Sequence, residues 1–207
     1  MPRYNPSPPP TGNLFESPPE SRRAVILGGH RPDWYAFAEG YRVAANLLVD
    51  RLRSLGVVAE HVCLPILFLY RHFIELSLKA LLLDLGELTD APELTSDRHL
   101  LQPLWTKFRD RLRAANLEAG SVPWLDRIGG WIAEFDRLDS RSYTFRYPVD
   151  PRGNAHLRPG QAVDIERVRH IMGEVAGAFA GAGAMIDEHL DLKRELRDEA
   201  DFGYYYS

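Results

Sequence analysis

The chain has 207 residues, 45% of them hydrophobic, with 25 basic against 29 acidic residues and a formal net charge of −4. That length supports one domain with a sizeable core rather than two ordinary ones, and the charge balance excludes a global cationic field for duplex nucleic acid or an anionic membrane surface. The single cysteine, Cys63, excludes a disulfide framework within the chain and any multi-cysteine zinc or iron–sulfur site, so a reducing, cytoplasmic setting is expected.

Residues 1–21 hold seven prolines among small and polar residues, a composition that predicts a disordered tail. Arg3 is followed by prolines rather than an apolar run, so no secretory signal is expected. Residues 22–200 read as a single domain. Its first segment, Ala24 to Leu27, ends at Gly28-Gly29 and reads as a short strand or an extended lead-in.

From residue 34 to 55, Tyr35, Phe37, Tyr41, Ala44, Ala45, Leu48, Leu52 and Leu55 recur at three- and four-residue intervals, with Asp33 to cap the helix and Gly56 to end it. The spacing predicts a second helix over 65–85, opening at Pro65 and stopping at Gly86. It is apolar almost all round and therefore belongs at the centre of a bundle. Arg71, His72, Glu75, Lys79 and Asp84 argue against a membrane span, since such charges cost about 2.5 to 3.5 kcal/mol each in lipid.

A third helix is predicted over 99–115, capped by Asp97 and carrying Leu100, Leu104, Trp105, Phe108 and Leu112 on its apolar side. A fourth, over 123–138, starts at Pro123 and places Trp124, Ile128, Trp131, Ile132 and Phe135 together, although Gly129 and Gly130 lower its helix propensity. Residues 141–161, rich in Pro, Gly and aromatic side chains, predict a long folded loop or irregular hairpin.

Asp164 caps the last predicted helix, 164–198, whose buried side is Ile165, Val168, Ile171, Met172, Val175 and Phe179. Its middle uses Gly173, Ala176, Gly177, Ala180, Gly181 and Ala184 at a cost in propensity, which close approach by a symmetry mate or by its own bundle would offset; the alternative is compositional drift toward Ala and Gly in an arginine-rich chain. Residues 201–207 form an aromatic tail. Together these elements predict an all-α protein: an antiparallel bundle of four or five helices with a long irregular loop before the last.

The pattern with chemical content lies on the second helix. Arg71, Glu75 and Lys79 follow one another at four-residue steps and His72 precedes Glu75 by three, which sets a basic–acidic line on one side of a greasy rod. Unpartnered burial would cost several kcal/mol, so these groups pair with one another, with neighbouring helices, or with a wet cleft. His99 stands just before the third helix. In the segment Leu138 to Asp150, Arg141 and Arg146 are donors suited to phosphate, and Tyr143, Phe145 and Tyr147 are rings suited to stacking on a base. The alternative is that these rings pin the loop to the bundle while Arg146 pairs with Glu75 or Asp139. The candidate ligand-binding set is Arg71, Glu75, Lys79, His99, Arg141 and Arg146.

Histidines 30, 61, 72, 99, 156, 170 and 189 show no short zinc spacing, so no metal is expected. The glycine pairs lack the Lys-Ser/Thr of a phosphate-binding loop, there is no Gly-x-Ser-x-Gly elbow, and Cys63 reads as an inert buried thiol. No cofactor is implied.

The run Tyr70-Arg71-His72-Phe73-Ile74-Glu75-Leu76-Ser77-Leu78-Lys79-Ala80-Leu81, followed by His99-Leu100 and Leu104, resembles HEPN-type (higher eukaryotes and prokaryotes nucleotide-binding) helical bundles. Phe145-Arg146-Tyr147-Pro148 also looks like a feature of uncharacterised bacterial proteins of this broad class. The resemblance spans roughly Trp34 to Leu192. It implies a homodimer, a role in toxin, antiphage or nucleotidyltransferase-linked systems, and binding of RNA, a nucleotide or a partner protein.

Catalytic members of that class are metal-independent endoribonucleases with an arginine and a histidine separated by four to six residues, usually in a late helix. This chain departs from the pattern: Arg167, Arg169 and His170 have other separations, Arg152 and His156 have three residues between them, and Arg23 and His30, with six, precede the bundle. The expectation is therefore a noncatalytic binding module. The alternative is an endoribonuclease in which Arg146 neutralises phosphate and His72, His99 or His156 transfers protons.

Overall fold

The computed structural model describes residues 33–55, 59–91, 99–118 and 122–205, apart from the side chains of 53–55, 122 and 201–205. The expected N-terminal tail, the run at Ala24–Leu27, the stop at Gly56 and the cap at Asp97 lie outside these residues. The protein is all-α, with α1 (Trp34–Leu55), α2 (Ala59–Leu88), α3 (Leu101–Ala114), α4 (Val122–Leu138) and α5 (Ile165–Tyr205). Extended pairing among the described residues is limited to one antiparallel bridge, Val149 to Ala155, inside the irregular segment before α5. No helix among the described residues is long and apolar enough to cross a membrane.

Two helix starts follow from local chemistry. Asp33 Oδ1 accepts from the backbone N–H groups of Tyr35 (2.9 Å) and Ala36 (3.1 Å), and Asp164 Oδ1 accepts from that of Arg167 (3.0 Å), so each side chain satisfies donors that a helix N-terminus leaves free. The start of α3 is capped from a distance: the backbone N–H of Leu101 donates to Asp136 Oδ1 of α4 at 3.2 Å.

Boundaries of α2 and α5 differ from the sequence-based expectation. α2 begins at Ala59, so Pro65 lies inside it rather than in its first turn, and Gly86 is a buried residue within the helix rather than its stop. Pro65 is exposed, which leaves water to solvate the carbonyl one turn earlier that has lost its N–H partner. α5 continues through residues 201–205, expected as a separate tail.

α2 is the central helix and packs against α1, α3 and α5. Tyr70 Oη donates to Asn46 Oδ1 (2.7 Å) and Tyr35 Oη to Asp84, an order that runs α1 antiparallel to α2. α3 and α4 are likewise antiparallel, through Arg109 to Asp126 and Leu101 to Asp136. The antiparallel order holds within these two pairs, whereas α5 runs parallel to α2: Phe73 meets Phe179, and further along Lys193 Nζ donates to the carbonyls of Glu87 (2.7 Å) and Leu88 (2.9 Å) at the end of α2.

Gly129 is required by packing, since a Cβ there would lie 2.6 Å from Trp105 Nε1. The stripe on α5 behaves differently: nothing stands within 4 Å of where a Cβ would sit at Gly173, Gly177 or Gly181. Close packing of these glycines against the protein's own bundle, one of the expectations for them, is therefore not realised. They line an open groove beside Trp124 and Ile128 of α4.

Candidate functional site

The charged line of α2 turns inward. Arg71 and Glu75 are essentially without exposed surface, at 0% and 1%. Arg71 Nη1 is 3.3 Å from Glu75 Oε2, while Glu75 Oε1 accepts from Lys79 Nζ (2.8 Å) and pairs with His99 Nδ1 (2.9 Å). His72 Nδ1 lies 3.9 Å from Oε2, beyond normal hydrogen-bond distance. Burial alone would push the Glu75 carboxyl up, but His72, Lys79 and His99 outweigh it and hold the group well below the usual carboxylate range.

Arg71 uses its remaining donors on backbone. Nε donates to the Asp139 carbonyl at 3.0 Å and Nη2 to the His99 carbonyl. The Asp139 carboxylate lies 3.5 Å from Nε, so one guanidinium joins the middle of α2, the entry to α3 and the exit from α4. Desolvation lowers its pKa, against the charges of Asp139 and Glu75.

Asp139 then organises the loop. Its carbonyl accepts from the backbone N–H of Ser142 (3.3 Å) and its Oδ1 from that of Thr144 (2.9 Å). Ser142, which is buried, adopts a left-handed conformation with φ 59°, an uncommon state for a residue with a Cβ. Phe145 turns into the core, edge-on to Phe135 at 6.4 Å. The neighbouring side chains Tyr143, Arg146 and Tyr147 consequently remain outside.

Arg146 Nε donates to the Ser142 carbonyl, and its Cζ stands 5.4 Å from the ring of Tyr143, 5.7 Å from Tyr147 and 5.7 Å from Phe68 of α2. Both tyrosines are half exposed, with ring centroids 5.6 Å apart. Phe68 also stacks on His72 at 5.7 Å, and Tyr41 meets His72 edge-on at 4.4 Å. The result is a continuous surface of rings around a cation whose geometry is set by the buried network below it.

The sequence-selected residues therefore separate into two layers. Arg71 and Glu75, expected as ligand contacts, present no surface to a ligand, and Lys79 is mostly buried on Glu75. His99 is 62% exposed and links the layers. Arg146 pairs with neither Glu75 nor Asp139, the alternatives expected for it; the rings and the Ser142 carbonyl occupy it instead. Arg141 is exposed and makes no hydrogen bond or ion pair among the described residues. His156 lies beyond the Val149–Ala155 bridge and acts electrostatically on Asp150, away from the Glu75 cluster.

Phe68 and Asp136 were not legible as site residues, because an aromatic in an apolar helix and an acid near a helix end look ordinary. A regional signal was available: residues 140–162 contain four arginines and one acid, Asp150, in a chain that is acidic overall. Asp150 is already occupied by Asn154 and the backbone N–H of Arg152. Among the described residues no three His, Cys, Asp or Glu side chains form a metal-ligating group. Comparison with known proteins returned no match to a protein-family model, a curated protein or a solved structure.

Proposed function

We propose that this protein is a noncatalytic module that binds single-stranded RNA or a nucleotide on the surface formed by Tyr143, Arg146 and Tyr147. The carrying observation is the seat of Arg146, a cation within 5.4 to 5.7 Å of three ring centroids, two of which belong to half-exposed tyrosines. Rings that retain an open face stack bases without regard to sequence, and a guanidinium among them meets the phosphate. Arg141, Arg152 and Arg158 supply further positive charge from the same segment. The global charge of −4 disfavours tight nonspecific duplex binding, so affinity depends on stacking as well as charge.

The HEPN-like assignment belongs to this proposal, with its homodimer and its link to bacterial defence or toxin-related systems. It rests on Tyr70 to Leu81 and Phe145 to Pro148. Exposed Phe37 and Leu47 on α1 offer apolar surface for self-association, which sedimentation at several concentrations measures.

The deciding experiment titrates short single-stranded RNAs and nucleotides, with metal chelated, against wild type and Arg146→Ala. Binding should weaken by about tenfold or more in the variant, remain unchanged in Arg3→Ala, and leave the RNA intact. Absence of all binding would turn the assignment toward a protein-interaction module. A second reading, an endoribonuclease, draws support from His99: Glu75 holds Nδ1 and the ring is largely exposed, an arrangement suited to proton transfer. Cleavage lost in His99→Ala or Arg146→Ala would establish that reading instead.

A further inference from the structure

A second feature lies on the other side of the same loop. Between α2, α4 and the start of α5 is a cavity of 240 Å³, walled by Leu67, Trp131, Phe135, Phe145, Ile171 and Met172. An apolar cavity of about 150 Å³ accepts a benzene ring, so this one has room for a bicyclic aromatic. The one charged residue of its lining is Glu134, at the exposed rim, where Gln161 also stands.

Glu134 is exposed and has no ion pair or hydrogen-bond partner for its side chain among the described residues, and the side-chain amide of Gln161 is likewise unpartnered. The basic neighbours on its own helix do not neutralise it. Arg127 lies over the Trp131 ring at 5.9 Å, and Arg137 forms no ion pair among the described residues. An aromatic-lined cavity with an unpaired acidic residue at its rim is complementary to an apolar ring that carries a cationic head.

We propose that this cavity is a binding site for a small arylalkylamine, with its ring among Trp131, Phe135 and Phe145 and its ammonium on Glu134. Gln161 supplies a carbonyl acceptor for another ammonium hydrogen. The inference is independent of the RNA-binding reading, since it uses neither the tyrosines nor the arginines of the exposed surface.

The test is calorimetric titration of the full chain with tryptamine and, separately, with indole-3-propionate, which keeps the bicyclic ring but reverses the charge. Saturable one-to-one binding of tryptamine is expected, with indole-3-propionate weaker by about tenfold or more. Glu134→Gln, a change at an exposed position, should weaken tryptamine by a similar factor and spare indole-3-propionate. Ala162→Trp, also exposed and lining the cavity, should block both, with circular dichroism confirming the fold. No tryptamine binding at about 1 mM, equal affinity for the two probes, or equal tryptamine affinity in wild type and Glu134→Gln would each overturn the proposal.

Discussion

Arg71 Nε donates to the carbonyl of Asp139 at 3.0 Å, across 68 residues of chain, and so ties the middle of α2 to the point where the chain leaves α4. The loop that presents Tyr143, Arg146 and Tyr147 begins at this contact. Removing the guanidinium takes the cation from the buried Asp139 Oδ2 and Glu75 Oε2, while Glu75 Oε1 keeps Lys79 and His99. Arg71→Met should therefore cost about 3 to 5 kcal/mol in urea unfolding, and Arg71→Lys should recover little because an ammonium cannot reproduce the fork that reaches three separate segments. Near-wild-type stability of Arg71→Lys would mean that charge alone suffices.

Glu75 makes the same network sensitive to acid. Its folded pKa is depressed relative to the unfolded chain, so the stability it contributes is complete above the unfolded value of about 4.3. That contribution declines as the pH falls below this value toward the depressed folded pKa. The stability gap between wild type and Glu75→Gln should accordingly narrow from about pH 5 to about pH 3. A gap that stays constant over this interval would contradict a depressed carboxyl.

The glycines of α4 and α5 should respond in opposite directions to alanine. Gly129→Ala forces a methyl against Trp105 Nε1, and overpacking of about 1 to 3 kcal/mol should exceed the gain in helix propensity of about 1 kcal/mol. Trp105 emission should shift with it. Gly177→Ala meets nothing within 4 Å and should raise the melting temperature of the isolated chain. A fall in melting temperature accompanied by a smaller sedimentation coefficient would place the stripe in a contact between copies.

Stacking and charge can be separated on the exposed surface. Tyr147→Ala should cost about 1 to 3 kcal/mol of single-stranded RNA affinity with little change in its salt dependence, whereas Arg141→Ala should reduce the salt slope by roughly one phosphate contact. Binding isotherms at three salt concentrations distinguish the two. Identical salt slopes in wild type and Arg141→Ala would remove Arg141 from the phosphate contacts.

The helices themselves were legible because their determinants are local. Apolar residues at three- and four-residue intervals mark a buried face wherever it docks, and Asp33 and Asp164 cap their own helices within three residues of chain. The Arg71–Glu75–Lys79 line was legible for the same reason, since a four-residue step sets side chains together on any helix.

What that line does was decided by tertiary structure. Arg71 is completed by two backbone carbonyls, those of His99 and Asp139, whose side-chain identities say nothing about where their oxygens point. Asp136 caps α3 from another helix, and Arg146 finds Phe68 rather than an acid, because packing rather than sequence distance set these approaches. The sequence alone thus determined which side chains share a helix face. Only long-range packing decided that Arg71 and Glu75 lie beneath the surface while Tyr143, Arg146 and Tyr147 stand upon it.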